Sequence, residues 1–278
     1  MEWRVMNKTS KPIGVFDSGV GGLSVLRHLQ RILPNEHYIY LGDTARVPYG
    51  NKSEETIREY TEQAVRFLLS LDAKLIVIAC NTASAIALKQ AEAMSTVPVI
   101  GMIIPAANAA IAKSINGKIG VIGTRATIGS NAYPQTLAEF QTDKKIEVTG
   151  KACPLFVPLA EEGFHFHPSA ELIVKEYLAP LLEAGIDTLV LGCTHYPLLS
   201  PLIQRQLPDV TLIDCGEYAA IEAKKRLSAM NILAPKNPTG SLPYISFYLT
   251  DSTPLFPVIA ERFLGFPISK PERVVLEH

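Results

Sequence analysis

The sequence predicts an α/β protein made of two similar parallel-sheet α/β domains related by pseudo-two-fold symmetry, with the working site in the cleft between them. Three observations predict it: short unbroken apolar runs alternate with helix-length segments, a strand-like stretch near the start recurs in the second half, and each half carries a cysteine at the end of such a run. With 278 residues the chain is long enough for two units of ordinary size, each with its own core.

The apolar runs at residues 13–16, 38–41, 75–79, 119–122 and 189–191 are continuous rather than alternating, as strands covered on both faces require. Helix-length segments lie between them. One is expected to start near Ser53, whose hydroxyl can cap it while Glu54 and Glu55 favour the positive end of the dipole. Ile57, Tyr60, Ala64, Val65, Leu68 and Leu71 then share one face. A second helix is expected after Pro168 and Ser169, with Leu172, Ile173, Leu178, Leu181 and Leu182 turned inward.

Composition narrows the function. Twenty-six basic residues against 27 acidic ones leave a net charge of −1, so neither nucleic acid nor an acidic tail is indicated and a small-molecule substrate fits better. Residues 1–11 show no signal-peptide pattern and no run has membrane-spanning length, which predicts no membrane partner and a cytoplasmic protein. The 4 cysteines lack the close spacing of a zinc site or a disulfide framework; reduced thiols and no metal are expected.

The internal repeat carries the most information. Ile13-Gly14-Val15-Phe16-Asp17-Ser18 has a counterpart in Ile119-Gly120-Val121-Ile122-Gly123-Thr124. Further on, Ile76-Val77-Ile78-Ala79-Cys80-Asn81-Thr82 matches Leu189-Val190-Leu191-Gly192-Cys193-Thr194-His195, and between them Val47-Pro48-Tyr49 matches Val157-Pro158-Leu159. Ligands of open parallel sheets bind at the carboxyl ends of the strands, so Cys80 and Cys193 are placed to approach one ligand from opposite sides. Two opposed acid/base groups suit removal of a proton from one face of a tetrahedral carbon and its return to the other, whereas hydrolysis needs one nucleophile only.

Thiols suit that task, because a helix N-terminus can draw their pKa from about 8.5 toward neutrality, and both cysteines read as preceding a helix. Ser18, Asn81, Thr82, Thr124 and Thr194 offer donors for a carboxylate, and Asp17 and His195 are placed to assist one thiol each. Cys153 and Cys215 read as packing residues, and His28, His37, His165, His167 and His278 as surface or packing residues. The segment Ser18-Gly19-Val20-Gly21-Gly22-Leu23-Ser24, with Asp43 about 20 residues on, has the outline of a dinucleotide fingerprint. Ser24 at the third glycine position and the carboxylate of Asp17 argue against it. The glycines are read instead as a tight turn that brings backbone donors to a small anion. A two-lobed amino-acid-binding protein would explain the donors but not the pair of thiols.

These motifs resemble those of the aspartate/glutamate racemase family, glutamate racemases above all. The resemblance rests on Asp17-Ser18-Gly19-Val20-Gly21-Gly22, Gly42-Asp43-Thr44-Ala45 with Pro48-Tyr49-Gly50, Ala79-Cys80-Asn81-Thr82-Ala83-Ser84, Gly192-Cys193-Thr194-His195-Tyr196-Pro197 and Thr250-Asp251, in that order over most of the chain. It implies racemisation of glutamate for peptidoglycan, with no metal, no pyridoxal phosphate and no other cofactor. Cys80 and Cys193 would be the catalytic pair, on the D and L faces respectively, with Asp17 and His195 as assistants. Ser18, Pro48, Tyr49, Gly50, Asn81, Thr82, Thr124 and Thr194 would surround the substrate, together with Asp17 and His195. Glu161, in preference to its neighbour Glu162, would assist the second cysteine. A racemase of the same family for aspartate or another amino acid is the nearest alternative. The resemblance also implies that the chain's last part returns to the first domain, giving 1–103 plus 216–278 against 104–215. The segment Phe164-His165-Phe166-His167-Pro168 departs from the family pattern and has no assigned role. A homodimer is compatible with the sequence, which sets neither the oligomeric state nor any regulation.

Overall fold

The computed structural model of the protein describes residues 8–140, 145–236 and 243–277. The reading of residues 1–7 and of His278 lies outside them. The first half runs β1 (Ile13–Asp17), α1 (Leu23–Ile32), β2 (Tyr38–Gly42), two short 3₁₀ turns, α2 (Glu54–Ser70), β3 (Leu75–Ile78), α3 (Asn81–Met94) and β4 (Val99–Ile100). Helix α4 (Ile103–Lys113) leads to β5 (Lys118–Gly123), α5 (Arg125–Gly129), α6 (Ala132–Glu139), β6 (Glu147–Ala152) and α7 (Phe156–Glu161). Then come α8 (Pro168–Glu183), β7 (Thr188–Gly192), α9 (Ser200–Gln206) and β8 (Thr211–Asp214). The chain continues through α10 (Cys215–Ala229), β9 (Ile245–Leu249), α11 (Phe256–Leu264) and β10 (Glu272–Arg273).

Among the described residues all strand pairs are parallel, in two sheets: β10-β9-β2-β1-β3-β4 and β6-β5-β7-β8. The repeat is therefore one of wiring. In each half the first strand sits between the second and the third, with the fourth outside the third. Gly14 and Gly120 hold equivalent places on the central strands; a methyl at Gly14 would meet Leu68 of α2 at 3.1 Å, and one at Gly120 would meet Ile186 at 2.6 Å and Leu181 of α8 at 3.3 Å. Both glycines let a covering helix sit close to the sheet. The first sheet is completed from far along the chain, with Tyr38 opposite Ile245 and Gly42 opposite Leu249.

Helix α2 forms as its sequence predicts: the Ser53 hydroxyl accepts from the Thr56 N–H, and Ile57, Ala64, Val65 and Leu68 are buried. Tyr60 and Leu71 are half-buried at its margin. Helix α8 is rotated from the expected face. Its buried residues are Ala170, Val174, Leu178 and Leu181, while Leu172 and Leu182 are 72% and 62% exposed. At about 100° per residue, Leu172 lies almost opposite the stripe through 170, 174, 178 and 181; the small Ala170, which lets the helix approach its sheet, fixes the phase. The helix begins at Pro168, with the His167 ring accepting from the Ser169 N–H at 3.2 Å. This gives part of the unassigned aromatic segment a capping role; Phe166 beside it is 88% exposed. Among the described residues no helix is long and apolar enough to cross a membrane.

Candidate active site

Strand β1 ends on Asp17, whose side chain is almost fully buried. The Gly19 N–H donates to its Oδ2 at 3.0 Å, and Oδ1 has no partner. The glycine loop thus turns a backbone donor on its own carboxylate, which corrects the expectation of donors for an external anion. Burial raises the Asp17 pKa, opposed by the charge of His195 and by the Gly19 and Gly22 N–H groups. The loop glycines also allow close approach. A methyl at Gly22 would lie 2.4 Å from Asp17 Cβ, and one at Gly21 would lie 2.3 Å from Thr194 Oγ1 and 2.5 Å from the His195 ring. The Ser24 hydroxyl donates to the Thr194 carbonyl at 2.8 Å. This loop is one place where the first half rests on the second. Asp43, the would-be ribose ligand, is fully buried and bound by Arg46, by the Tyr49 hydroxyl and by Thr250, so the fingerprint outline has another use.

Cys80 follows β3 and is the N-cap of α3, its Sγ accepting from the Ala83 N–H at 3.5 Å. Contrary to the expectation of a lowered pKa, burial pushes the thiol up to about 12, and the charge of Asp17 adds to this; hydrogen bonds from Ser18 and Ala83 oppose it. One turn of helix dipole does not offset full desolvation. Beside it the hydroxyls of Thr82, Thr124 and Thr127 form a closed triangle with sides of 2.9, 3.1 and 3.0 Å, joining α3 to α5 across the cleft. Gly50 faces Thr124 so closely that a methyl would come within 2.8 Å of its Cβ.

Cys193 follows β7 but does not open an α-helix. The Tyr196 N–H returns to its carbonyl at 3.1 Å, a 3₁₀ turn spans Tyr196–Leu199, and α9 begins only at Ser200. Pro197 and Pro201, which lack N–H groups, confine helix initiation to the positions they occupy. Here a side chain takes the place of a helix dipole. His195 Nδ1 is 3.7 Å from Cys193 Sγ, and its Nε2 is 2.8 Å from Glu161 Oε1. Burial draws the imidazole pKa down, but the hydrogen bonds and charges of Cys193 and Glu161 outweigh it and raise it to about 10. Of the two glutamates weighed, Glu161 makes the contact. It is the last residue of α7, and Arg262 of α11 donates to its carbonyl. Phe263 packs edge-on against the His195 ring.

Both cysteines line one cavity of about 390 Å³, within the range of small-molecule sites. From the first half it takes Ser18, Pro48, Tyr49, Gly50, Asn81 and Thr82, and from the second Thr124, Glu161, Thr194 and His195. Asp17 stands behind this wall. As lining residues the sequence reading missed Gly19, Val47, Asn51, Arg125, Pro154, Val157 and Pro158. Val157 and Pro158 had a signal, since the repeat aligns them with Val47 and Pro48, and both pairs follow the second strand of their half. Arg125 had no signal of its own in the sequence. Of the residues read as packing, Cys153 is buried in the second core, whereas Cys215 also contacts the Tyr133 hydroxyl at 3.1 Å. His28 pairs with Asp214 at 2.9 Å and His37 stacks on Tyr244.

Two like-wired parallel sheets whose third strands each deliver a thiol to one small cavity define a two-lobed α/β protein with a cysteine-lined cleft. A family model for Asp/Glu/Hydantoin racemases matches residues 13–223, and the chain belongs to that family. It is 47% identical to the glutamate racemase of Chlorobaculum tepidum over 96% of this chain and 97% of that one. It is likewise 47% identical to that of Syntrophus aciditrophicus, over 98% and 100%. A crystal structure of glutamate racemase from Francisella tularensis in complex with D-glutamate matches with a TM-score of 0.89 at 40% identity, covering 97% of this chain and 99% of that chain.

Proposed function

We propose that the protein interconverts L-glutamate and D-glutamate by two-base proton transfer at the α-carbon, supplying D-glutamate for peptidoglycan in the cytoplasm. The observation that carries the reading is a single cavity lined by Cys80 and Cys193 from opposite halves; near-full-length similarity to glutamate racemases supports glutamate over aspartate. In the D-to-L direction the Cys80 thiolate removes the α-proton and the Cys193 thiol gives its proton to the opposite face. The products are L-glutamate, a Cys80 thiol and a Cys193 thiolate. The reverse reaction exchanges these roles, and Asp17 and His195 restore the starting protonation. A bound amino acid brings its ammonium group beside the sulfurs, and that positive charge favours the thiolate that burial alone disfavours. The hydroxyl and amide groups of Ser18, Asn81, Thr82, Thr124 and Thr194 hold the carboxylates and stabilise charge that develops at the α-carbon. Pro48, Tyr49 and Gly50 shape the first-half wall, and Glu161 keeps His195 charged and oriented.

On this reading the chain divides into residues 1–103 plus 216–278 and residues 104–215, the boundaries lying at α4 and α10. The test is incubation of L-glutamate in heavy water, followed by chiral separation and deuterium counting. Inversion with one deuterium at the α-carbon is expected. Absence of D-glutamate, or inversion without solvent deuterium, overturns the proposal.

A further inference from the structure

The two cysteine motifs differ just before the sulfur: Ala79 in the first half, Gly192 in the second. A methyl at Gly192 would lie 2.6 Å from the Ile122 carbonyl oxygen of β5, so the neighbouring strand requires the glycine. Next to Cys193 the ring of Tyr133 in α6, 3.3 Å from the same methyl, lies against this backbone. Its hydroxyl reaches the other motif, donating to Oδ1 of Asn81, the residue after Cys80, at 2.9 Å. The Cys215 sulfur is 3.1 Å from the same phenol oxygen and 3.2 Å from the Leu191 carbonyl of β7. A phenol has one proton. With that proton given to Asn81, the single Cys215 S–H is the donor left, shared in a bifurcated contact between the phenol oxygen and the carbonyl. Tyr133 is fully buried, and nothing in the two-base scheme uses it.

Asn81 lines the cavity, and its Nδ2 is buried without a hydrogen-bond partner. An amide held by its oxygen leaves its N–H groups for the cavity. The opposite orientation would set a carbonyl oxygen against an anionic substrate. We propose that Tyr133 is a positioning residue that braces the Cys80 and Cys193 segments against each other and fixes the Asn81 amide as a donor to substrate. The inference rests on the racemase reading and adds to it a residue outside the cavity wall.

Tyr133→Phe keeps the ring and removes the hydroxyl. In the intact enzyme, KM for glutamate is expected to rise about tenfold, the worth of one hydrogen bond to a charged ligand, with kcat within about threefold of wild type. The Asn81→Ala background separates positioning from general loosening: there Tyr133→Phe is expected to add nothing. Cys215→Ala, which removes the donor behind the phenol, is expected to raise KM about threefold and to have no effect in the Tyr133→Phe background; it carries the test if Tyr133→Phe melts below the assay temperature. Unchanged kinetics in either single variant, or an equal loss with and without Asn81, overturns the role of Tyr133 while wild-type turnover stands. A wild type that does not racemise glutamate overturns the functional reading, and this inference with it.

Discussion

The two halves share a strand order and the position of a cysteine, yet they support the sulfur differently. Cys80 caps a 14-residue α-helix and has a buried carboxyl behind it, whereas Cys193 precedes a 3₁₀ turn and has a charged His195–Glu161 pair beside it. The shared architecture fixes where a reactive group stands, at the carboxyl end of the third strand. The surroundings of the sulfur differ: backbone N–H and a buried carboxyl stand near Cys80, and an imidazole paired with a carboxylate stands beside Cys193.

The largest effects should come from removing either sulfur. Cys80→Ala and Cys193→Ala are each expected to lower racemisation by about 10⁴-fold, the upper end for a general acid or base. Each should retain slow exchange of the α-proton in one enantiomer only, D-glutamate for Cys193→Ala and L-glutamate for Cys80→Ala, measured as deuterium uptake. Exchange of both enantiomers in either variant breaks the assignment of one sulfur per face. Next come the assistants. Asp17→Asn and His195→Asn should each cost about 10²-fold in kcat/KM. The substrates are enantiomers with an equilibrium constant of one, so that loss must be equal in both directions. A variant with near-normal turnover identifies an assistant that is dispensable.

The glycine loop offers a finer probe. Gly21→Ala would press on Thr194 and His195, and Gly22→Ala on Asp17, so one substitution disturbs each half from the same turn. About tenfold loss in kcat/KM is expected from each, because small misplacements of reacting groups are costly. If the loss in Gly21→Ala persists unchanged when His195 is already Asn, the contact does not act through the imidazole.

The smallest effects are those of pH on stability, read from denaturant midpoints. Both assistants have folded pKa values raised above their ordinary ones, so both take up protons more readily when folded, and stability falls as pH rises. For His195 the contribution is complete below 6.5 and is lost as pH climbs to about 10. For Asp17 the loss begins above 3.8. His195→Asn should flatten the upper window and extend the lower one to higher pH, because the imidazolium charge that holds the Asp17 pKa down is removed. A variant with the wild-type slope above pH 7 places the imidazole outside the charge balance.

Much of this was legible in the chain. Unbroken apolar strands such as residues 13–16 and 75–79 need no tertiary context, and the paired motifs around Cys80 and Cys193 fall where the sheets deliver them. The face of α8 was not legible, because five leucines and isoleucines surround that helix and only packing against β6 and α9 selects Ala170 and Val174 over Leu172. The Cys80 pKa was missed for a related reason: a helix dipole can be read locally, but desolvation depends on residues brought from elsewhere. Arg125 and Thr127 lay beyond reach because their roles arise where the halves meet.

The placement of β9 has a consequence for biogenesis. The second sheet is drawn from one uninterrupted stretch, whereas the first lacks the strand beside β2 until residues 245–249 have emerged from the ribosome. The half encoded first is therefore finished last. Its exposed β2 edge must survive most of translation without a partner, and a nascent chain arrested before that point would present an open strand edge to its neighbours.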